Sequence, residues 1–335
     1  MNPRYRRLLI PGLLLVLLVV VLISSLARRA EGAESAPHVV SRMTDPLIRE
    51  SSGLAISRAH DGLAYTINDS GNAPLVFAVQ VSTGKVVGTT RVLGGELRDT
   101  EAISVDRHGT LWISDTGDNL DNRTDTALYA LDEPGLGNHT VTARRYPVSY
   151  PDGHPNVEAL LINPRTDAKF LVSKGLFGGT VYALPKTLHT DRANVPKAVG
   201  GEVAGTVTDG TFTTDSAYAV LRTYVSIYVL DPTDWSVLHS EDSPAEPQGE
   251  SITAEASGRS LLVGSEGVDS ELIRVPFAKP VPKPTATKPA SGSTNDTTSR
   301  SGDSQPIAPL VYVVGAVVAA GVLGAGVAVR MKRSR

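Results

Sequence analysis

One pattern recurs five times along the middle of this chain, and a repeat of that period limits the fold more than any other feature of the sequence. Each copy opens with a small or acidic residue and a short apolar stretch: Ser52-Gly53-Leu54-Ala55, Glu101-Ala102-Ile103-Ser104, Glu158-Ala159-Leu160-Leu161, a degenerate Gly210-Thr211-Phe212-Thr213, and Glu250-Ser251-Ile252-Thr253. A β-rich run ending in a polar residue follows, at Leu63–Asp69, Leu111–Asp115, Phe170–Lys174, Tyr218–Arg222 and Leu261–Glu266. A third run comes next, at Leu75–Val79, Ala127–Leu131, Thr180–Leu184, Val225–Leu230 and Glu271–Val275. Alternating apolar and polar residues with many β-branched side chains make these runs half-buried strands. Their polar ends fall at positions 69, 115, 174, 222 and 266. That interval suits one four-stranded sheet per repeat, the period of a β-propeller.

Fourth strands are expected at Val86–Leu93, Val141–Tyr146, Val199–Val207 and Ser236–Ser240, but the last repeat runs into Pro276 without one. Proline cannot donate to a sheet ladder, so the missing edge must come from elsewhere. His38–Arg42, an orphan strand ahead of the first repeat, is the natural donor, and such closure would hide an exposed edge. The expected fold is therefore all-β, a five-bladed propeller closed by an N-terminal strand. A sixth blade in the irregular stretch Asp132–Pro155 is the alternative.

The ends of the chain have another character. Arg4, Arg6 and Arg7 precede an apolar run from Leu8 to Leu26, so residues 1–30 read as a signal peptide or an uncleaved signal anchor. Residues 279–306, rich in Pro, Thr and Ser, read as a semi-extended stalk. Residues 307–329 carry no charge and are followed by the basic residues of 330–335. That order is a transmembrane helix with a cytoplasmic tail, which leaves residues 37–278 as an extracytoplasmic domain. Ala316, Ala320 and Gly324 recur at four-residue spacing, a pattern through which two such helices could pair.

Composition narrows the chemistry. With no cysteine, disulfides, thiolate metal sites and thiol nucleophiles are excluded. The formal charge of −3 hides an asymmetry, because basic residues concentrate at the two ends and leave the propeller segment acidic. An acidic body argues against nucleic acid as a partner and favours cations. There is no G-x-S-x-G elbow and no H-E-x-x-H pair, and none of the seven histidines falls at a repeat-equivalent position.

Equivalent positions of a propeller converge in space. The expected polar ring draws Glu101, Glu158 and Glu250 from the repeat openings, and Asp69, Asp115, Lys174, Arg222 and Glu266 from the second-strand ends. Lys174 and Arg222 could hold an anionic ligand or neutralise the ring as structural ion pairs; Asp69, Glu158, Glu250 and Glu266 would line the same ligand site. The densest local cluster runs from Asp115 through Asp118, Asn119, Asp121 and Asn122 to Asp125, with Gly117 for a tight turn. With Glu101, the oxygens of Asp115, Asp118, Asn119 and Asp121 suit a hard cation such as calcium, and they equally suit a turn between strands.

Several strings together resemble a known group: Asn68-Asp69-Ser70-Gly71-Asn72, Asp99-Thr100-Glu101-Ala102-Ile103, Asp115-Thr116-Gly117-Asp118-Asn119 with Arg123, Tyr150-Pro151-Asp152-Gly153 leading to Glu158, Arg222-Thr223-Tyr224, and Gln248-Gly249-Glu250-Ser251-Ile252. Across residues 45–277 the chain is similar to secreted bacterial β-propellers of the SdiA-regulated and esterase-like-phytase type, and to membrane-anchored actinobacterial propellers. The resemblance implies a propeller fold. It departs from the related D-W-E-D pattern at Thr100 and Ala102, which bears on any metal-linked activity carried over to Asp99 and Glu101. Three readings of function remain open at this stage. The first is a membrane-tethered propeller that binds a small anionic ligand or an envelope protein at one face, with calcium as a candidate ion. The second is a calcium-dependent phosphoesterase, and the third a cell-envelope scaffold.

Overall fold

The structure, a computed structural model, describes residues 36–280 apart from Asp152. The expected leader at 1–30, the span at 307–329, the tail at 330–335 and nearly all of the stalk lie outside the described residues. Among those residues every regular element is a strand, and no helix is long and apolar enough to cross a membrane.

Twenty-one strands form five sheets, and the chain folds as a five-bladed β-propeller. After β1 (His38–Met43), blade 1 consists of β2 (Ser51–Ile56), β3 (Leu63–Asn68), β4 (Leu75–Gln80) and β5 (Lys85–Leu93). Blade 2 has β6 (Thr100–Val105), β7 (Thr110–Asp115), β8 (Ala127–Asp132) and, after β9 (Gly137–Thr142), a short outer strand β10 (Arg144–Pro147). Blade 3 is β11 (Val157–Ile162), β12 (Lys169–Ser173), β13 (Gly178–Ala183) and β14 (Lys197–Ala204); blade 4 is β15 (Val207–Phe212), β16 (Ala219–Thr223), β17 (Ser226–Leu230) and β18 (Val237–Asp242). Blade 5 is β19 (Gly249–Ala254), β20 (Ser260–Ser265) and β21 (Ser270–Pro276), with β1 as its outer strand. The pairing of β1 with β21 is antiparallel from His38↔Arg274 to Met43↔Ser270, which is the closure expected from Pro276.

The stretch Asp132–Pro155 is not a sixth blade. Its strand β9 is almost wholly exposed, so it has no apolar face with which to build a core, and it pairs in parallel with β5 as a fifth strand of blade 1. Gly88 permits that approach, since a Cβ there would lie 3.0 Å from the Gly137 carbonyl oxygen. The fourth strand expected at Val141–Tyr146 is thus split between two blades.

Apolar side chains meet between blades rather than inside one. Five buried clusters fill the five interfaces: Tyr65, Ile67, Leu111 and Ile113 between blades 1 and 2; Leu128, Leu160 and Leu171 between 2 and 3; Leu161, Phe212, Leu221 and Trp235 between 3 and 4; Val220, Ile227 and Val263 between 4 and 5; and Met43, Leu54, Phe77 and Leu262 between 5 and 1. Each such side chain contributes roughly 1.5–3 kcal/mol by leaving water. The last cluster locks the ring as the first four do, so no blade edge is left to carry the closure alone.

Candidate functional site

The same irregularity occurs in all five blades. Where the innermost strand pairs with the second, the register slips by one residue, between Ser52 and Leu54, Thr100 and Ala102, Val157 and Ala159, Val207 and Asp209, and Gly249 and Ser251. The unpaired residues are Gly53, Glu101, Glu158, Thr208 and Glu250. A β-bulge re-aims the side chain it carries, and five bulges at one level of a ring aim four side chains at one mouth of the channel, Gly53 having none. Three of them are buried glutamates. In blade 4 the equivalent is Thr208, two residues before the opening expected at Gly210.

The second strands face this ring less regularly than expected. Counting from the residue opposite each bulge, the position of Lys174 is shared by Glu266, Asn68, Thr116 and Tyr224. Asp115 falls one residue earlier, and a one-residue slip turns a side chain to the other face. Its carboxylate is fully buried and accepts hydrogen bonds from the backbone of Arg98 (3.0 Å) and Asp99 (2.8 Å) and from Arg123 (3.1 Å). Arg222 falls two residues earlier and is fully buried between blades 4 and 5. There it donates to the carbonyls of Ser251 (2.8 Å) and Gly264 (3.0 Å) and pairs with Glu246. Its burial makes Arg222 a structural ion pair and takes it out of reach of a ligand at the mouth.

The loop expected to hold calcium is organised by Arg123. Asp118 accepts from the backbone of Asn122 (3.0 Å) and Arg123 (2.6 Å), while the Arg123 guanidinium reaches the Gly117 carbonyl (2.8 Å), Asp115 and Asp125. Asn119 accepts from Asn156 (3.2 Å), and Asp121 adopts a left-handed turn conformation (φ 51°) and is exposed. The side-chain oxygens of Asp115, Asp118 and Asn119 have protein donors, and among the described residues the carboxylates of this loop form no converging group of three. Of the residues expected to bind metal, Glu101 alone joins the ring.

The oxygens that do converge belong to Asp69, Asp99 and Glu101. One oxygen from each lies within 4.8 Å of the others. Ligands on opposite sides of a calcium ion, each about 2.3–2.6 Å from it, are separated by about that span. Gly117 leaves room for the group, since a Cβ there would come 2.2 Å from Glu101 Oε1 and 2.6 Å from Asp99 Oδ2.

Comparison of the three glutamate-bearing blades explains why this corner is singular. In blade 3 the amide of Asn156, two residues before the bulge, donates to Glu158 (2.7 Å); in blade 5 the amide of Gln248, at the same offset, donates to Glu250 (2.9 Å) and to Glu266. In blade 2 that offset is Asp99. A carboxylate stands where the other two blades have an amide donor, and the Glu101 carboxyl shares a hydrogen bond with the Glu158 carboxyl. The triplets Asp99-Thr100-Glu101, Asn156-Val157-Glu158 and Gln248-Gly249-Glu250 were legible in the sequence as one recurring motif. Asp99, Asn156, Gln248 and Tyr224 were absent from the expected ring.

Crowded, poorly solvated carboxyls resist ionisation. Burial first, then the charges of Glu158, Asp69 and Asp99, push Glu101 well above the ordinary range. Burial likewise carries Asp69 to about 7, Glu266 to about 7 and Glu250 to about 8, with neighbouring carboxylates adding to each shift. Lys174 is the cation of the ring, 3.1 Å from Glu158 and over the Tyr224 ring at 5.1 Å. Burial alone would lower its pKa, but Glu158, Tyr224 and Glu250 outweigh that and hold it charged. Glu158 is raised despite this ion pair, because burial exceeds the help Lys174 gives. Tyr224 is pushed to about 12, chiefly by burial.

Two cavities lie away from this mouth. One, of about 410 Å³, sits beside Gly62, Gln80, Glu255 and Arg274; the other, of about 320 Å³, opens at the opposite end of the channel beside Ile56, Val105, Ile162 and Phe212. Their charged groups are either paired, as Glu255 with Arg274 (2.5 Å), or exposed, as Arg58 and Asp61. Neither gathers titratable groups as the carboxylate mouth does.

No family model matches the chain, and no curated protein matches it. Among solved structures, a gluconolactonase of Xanthomonas campestris is similar in three dimensions, with a TM-score of 0.45 and 15% sequence identity, covering 72% of this chain and 86% of that one. At that distance the fold rests on the sheet topology described above.

Proposed function

We propose that this propeller takes up a divalent cation, calcium foremost, at the carboxylate mouth, and there binds an oxygen-bearing ligand. The observation that carries the reading is the Asp69–Asp99–Glu101 corner, where a third carboxyl replaces the amide that partners its counterpart in two other blades. A bound cation would relieve that mutual repulsion. The charge-free stretch 307–329 and its basic flank support a domain tethered outside the membrane. The resemblance to phytase-like propellers is consistent with a ligand that is an anion, held beside Lys174.

The test is thermal unfolding of the full-length chain in EDTA and then in millimolar calcium. A ligand that binds only the folded state stabilises it by mass action, about 2.7 kcal/mol at a hundredfold excess over Kd. We expect a clear rise in Tm that Glu101→Gln abolishes and Asp118→Asn/Asp121→Asn leaves intact. No rise in the parent chain, or a rise lost with the Asp118→Asn/Asp121→Asn pair, overturns the assignment.

A hydrolytic reading has one observation in its favour: Glu250 and Glu266 exchange protons near neutral pH and lie beside a charged lysine. Such groups are suited to general acid–base work. A cation bound at the corner would polarise a phosphate oxygen and Lys174 would hold the anion; as water attacks phosphorus and the P–O ester bond breaks, Glu250 would give its proton to the departing alcohol and recover one from the attacking water. Turnover of a phosphate monoester that Glu250→Gln removes without altering the calcium response would favour this enzyme over a binding protein.

A further inference from the structure

The loops joining second to third strands end on the same face as the carboxylate mouth, and in four of the five blades they expose a large apolar side chain. Leu120 stands out from blade 2, Leu176 and Phe177 from blade 3, Val225 from blade 4 and Val268 from blade 5; Leu47 lies exposed on the connection from blade 5 to blade 1. Three of these loops carry residues of the site itself, since Leu176 follows Lys174 by two positions, Val225 is next to Tyr224, and Val268 follows Glu266 by two.

Turn tips are ordinarily polar, and blade 3 departs furthest from that. Leu176 and Phe177 occupy a tip between Gly175 and Gly178, and Phe177 is 93% exposed. The turn is tight and fixed: a Cβ on Gly175 would fall 1.8 Å from the Gly178 carbonyl oxygen, and the Gly175 carbonyl accepts from Thr206 N at 2.8 Å. On the other side, Gly267 N donates to the Arg49 carbonyl at 3.0 Å, tying the Val268 loop to the Leu47 connection. Apolar tips therefore surround the mouth at defined places. Isolated exposed apolar residues need no explanation, but apolar tips gathered on one face mark an interaction surface.

Charge selects the partner. Inside the rim stand Asp69, Asp99, Glu101, Glu158, Glu250 and Glu266, while Lys174 is committed to Glu158 and Arg123 to Asp115 and Asp125. Each Lys or Arg placed over these carboxyls would favour their ionised form, so basic groups would be drawn to this face while an anionic lipid surface would gain nothing from it. We propose that the rim docks a polypeptide segment that sets Lys or Arg among apolar residues, its basic groups over the carboxylates and its apolar ones against Leu176, Phe177 and Val225. This goes beyond the cation reading, since it rests on the apolar tips and not on a metal.

The test is to pan a random dodecapeptide library on the immobilised full-length chain in EDTA. We expect enrichment of sequences combining Lys or Arg with Leu, Phe, Tyr or Trp. The enriched peptide, once synthesised, should bind Leu176→Ser/Phe177→Ser at least tenfold more weakly, and Val237→Ser/Leu238→Ser, altered on the exposed outer strand of blade 4, as tightly as the parent. Enrichment of nothing above a blank surface, of acidic or uncharged sequences, or of a peptide indifferent to Leu176 and Phe177, overturns the proposal. So does Phe177-dependent sedimentation with phosphatidylglycerol vesicles without peptide binding, which would assign the rim to lipid. The calcium melting response of Leu176→Ser/Phe177→Ser separates the two readings: it is expected to match the parent, so that either reading can fail alone.

Discussion

Two parts of this molecule are rich in carboxylates, and they differ in what faces each oxygen. The segment from Asp115 to Asp125 is dense in sequence, but a guanidinium and backbone N–H groups answer its buried oxygens. The mouth draws carboxylates from segments far apart in the chain, and at its corner Asp69 faces the neighbouring pair Asp99 and Glu101. Local density is what turns require; carboxyls that converge with few donors, Ser70 serving both Asp69 and Asp99, are held against their mutual repulsion, and a cation would relieve it. The difference teaches that in a repeat fold the informative carboxylates recur at one position of the repeat, and that clusters within one loop carry less weight.

The sharpest way to break the comparison is to remove the donor from the first region. Arg123→Ala leaves Asp115 buried without its guanidinium, and breaking such a pair by deleting one partner costs about 3 kcal/mol or somewhat more. Denaturant unfolding of the metal-free chain should show that loss, and Arg123→Met with Asp115→Leu should recover most of it. If calcium restores Arg123→Ala to parental stability, the loop is a cation site after all and the contrast collapses.

The second test converts the mouth into the other kind of region. Asp99→Asn gives blade 2 the amide that blades 3 and 5 already have, and one new hydrogen bond to Glu101 is worth about 1 kcal/mol. The metal-free variant should be more stable than the parent by about that amount and should lose its calcium response. A destabilised variant that still responds to calcium would show that Asp99 is not the odd member of the ring.

Much of this architecture was legible beforehand, and the failures have physical causes. Five blades, their three inner runs and the closing strand follow from alternation and from Pro276, because those signals are local. The split of Val141–Tyr146 was hidden, since a polar strand such as β9 joins whichever edge is free, and that depends on tertiary contact. The ring was half legible. Glu101, Glu158 and Glu250 were found because a bulge recurs at a fixed place, whereas Asp69 lies one residue late, Asp115 one residue early and Arg222 two residues early. Strand ends were matched by polarity, but the register, counted from the bulge, decides which way a side chain points. Asp99 was passed over as a ligand, although its offset from Glu101 repeats that of Asn156 from Glu158.

The smallest effect is the most diagnostic of crowding. Asp69 and Glu266 take up protons near pH 7 and Glu250 near pH 8 in the folded chain, above the values of about 4 they have when unfolded. Between those limits the folded state holds more protons than the unfolded one, so stability must fall as pH rises. Lys174 is held charged across the whole window, so the carboxyls alone set the sign. The Tm of the metal-free chain should therefore decline from about pH 5 to about pH 8.5, by roughly 2–4 °C for each kcal/mol lost in a domain of this size. Glu250→Gln should flatten the upper end of that decline, where Glu250 titrates. Saturating calcium should flatten the part that Asp69 contributes, because a bound cation keeps its own carboxylates ionised in the folded state. The loop of Asp115 to Asp125 predicts the opposite slope in its half-buried member Asp125: burial is the largest single influence and raises it, but the hydrogen bond and charge of Arg123 together with the charge of Arg98 outweigh burial and hold the carboxylate below the ordinary range. That rise is confined to below about pH 4, where Asp125 titrates, so a Tm that rises with pH across the neutral range would have no source in that loop and would refute the crowding of the mouth.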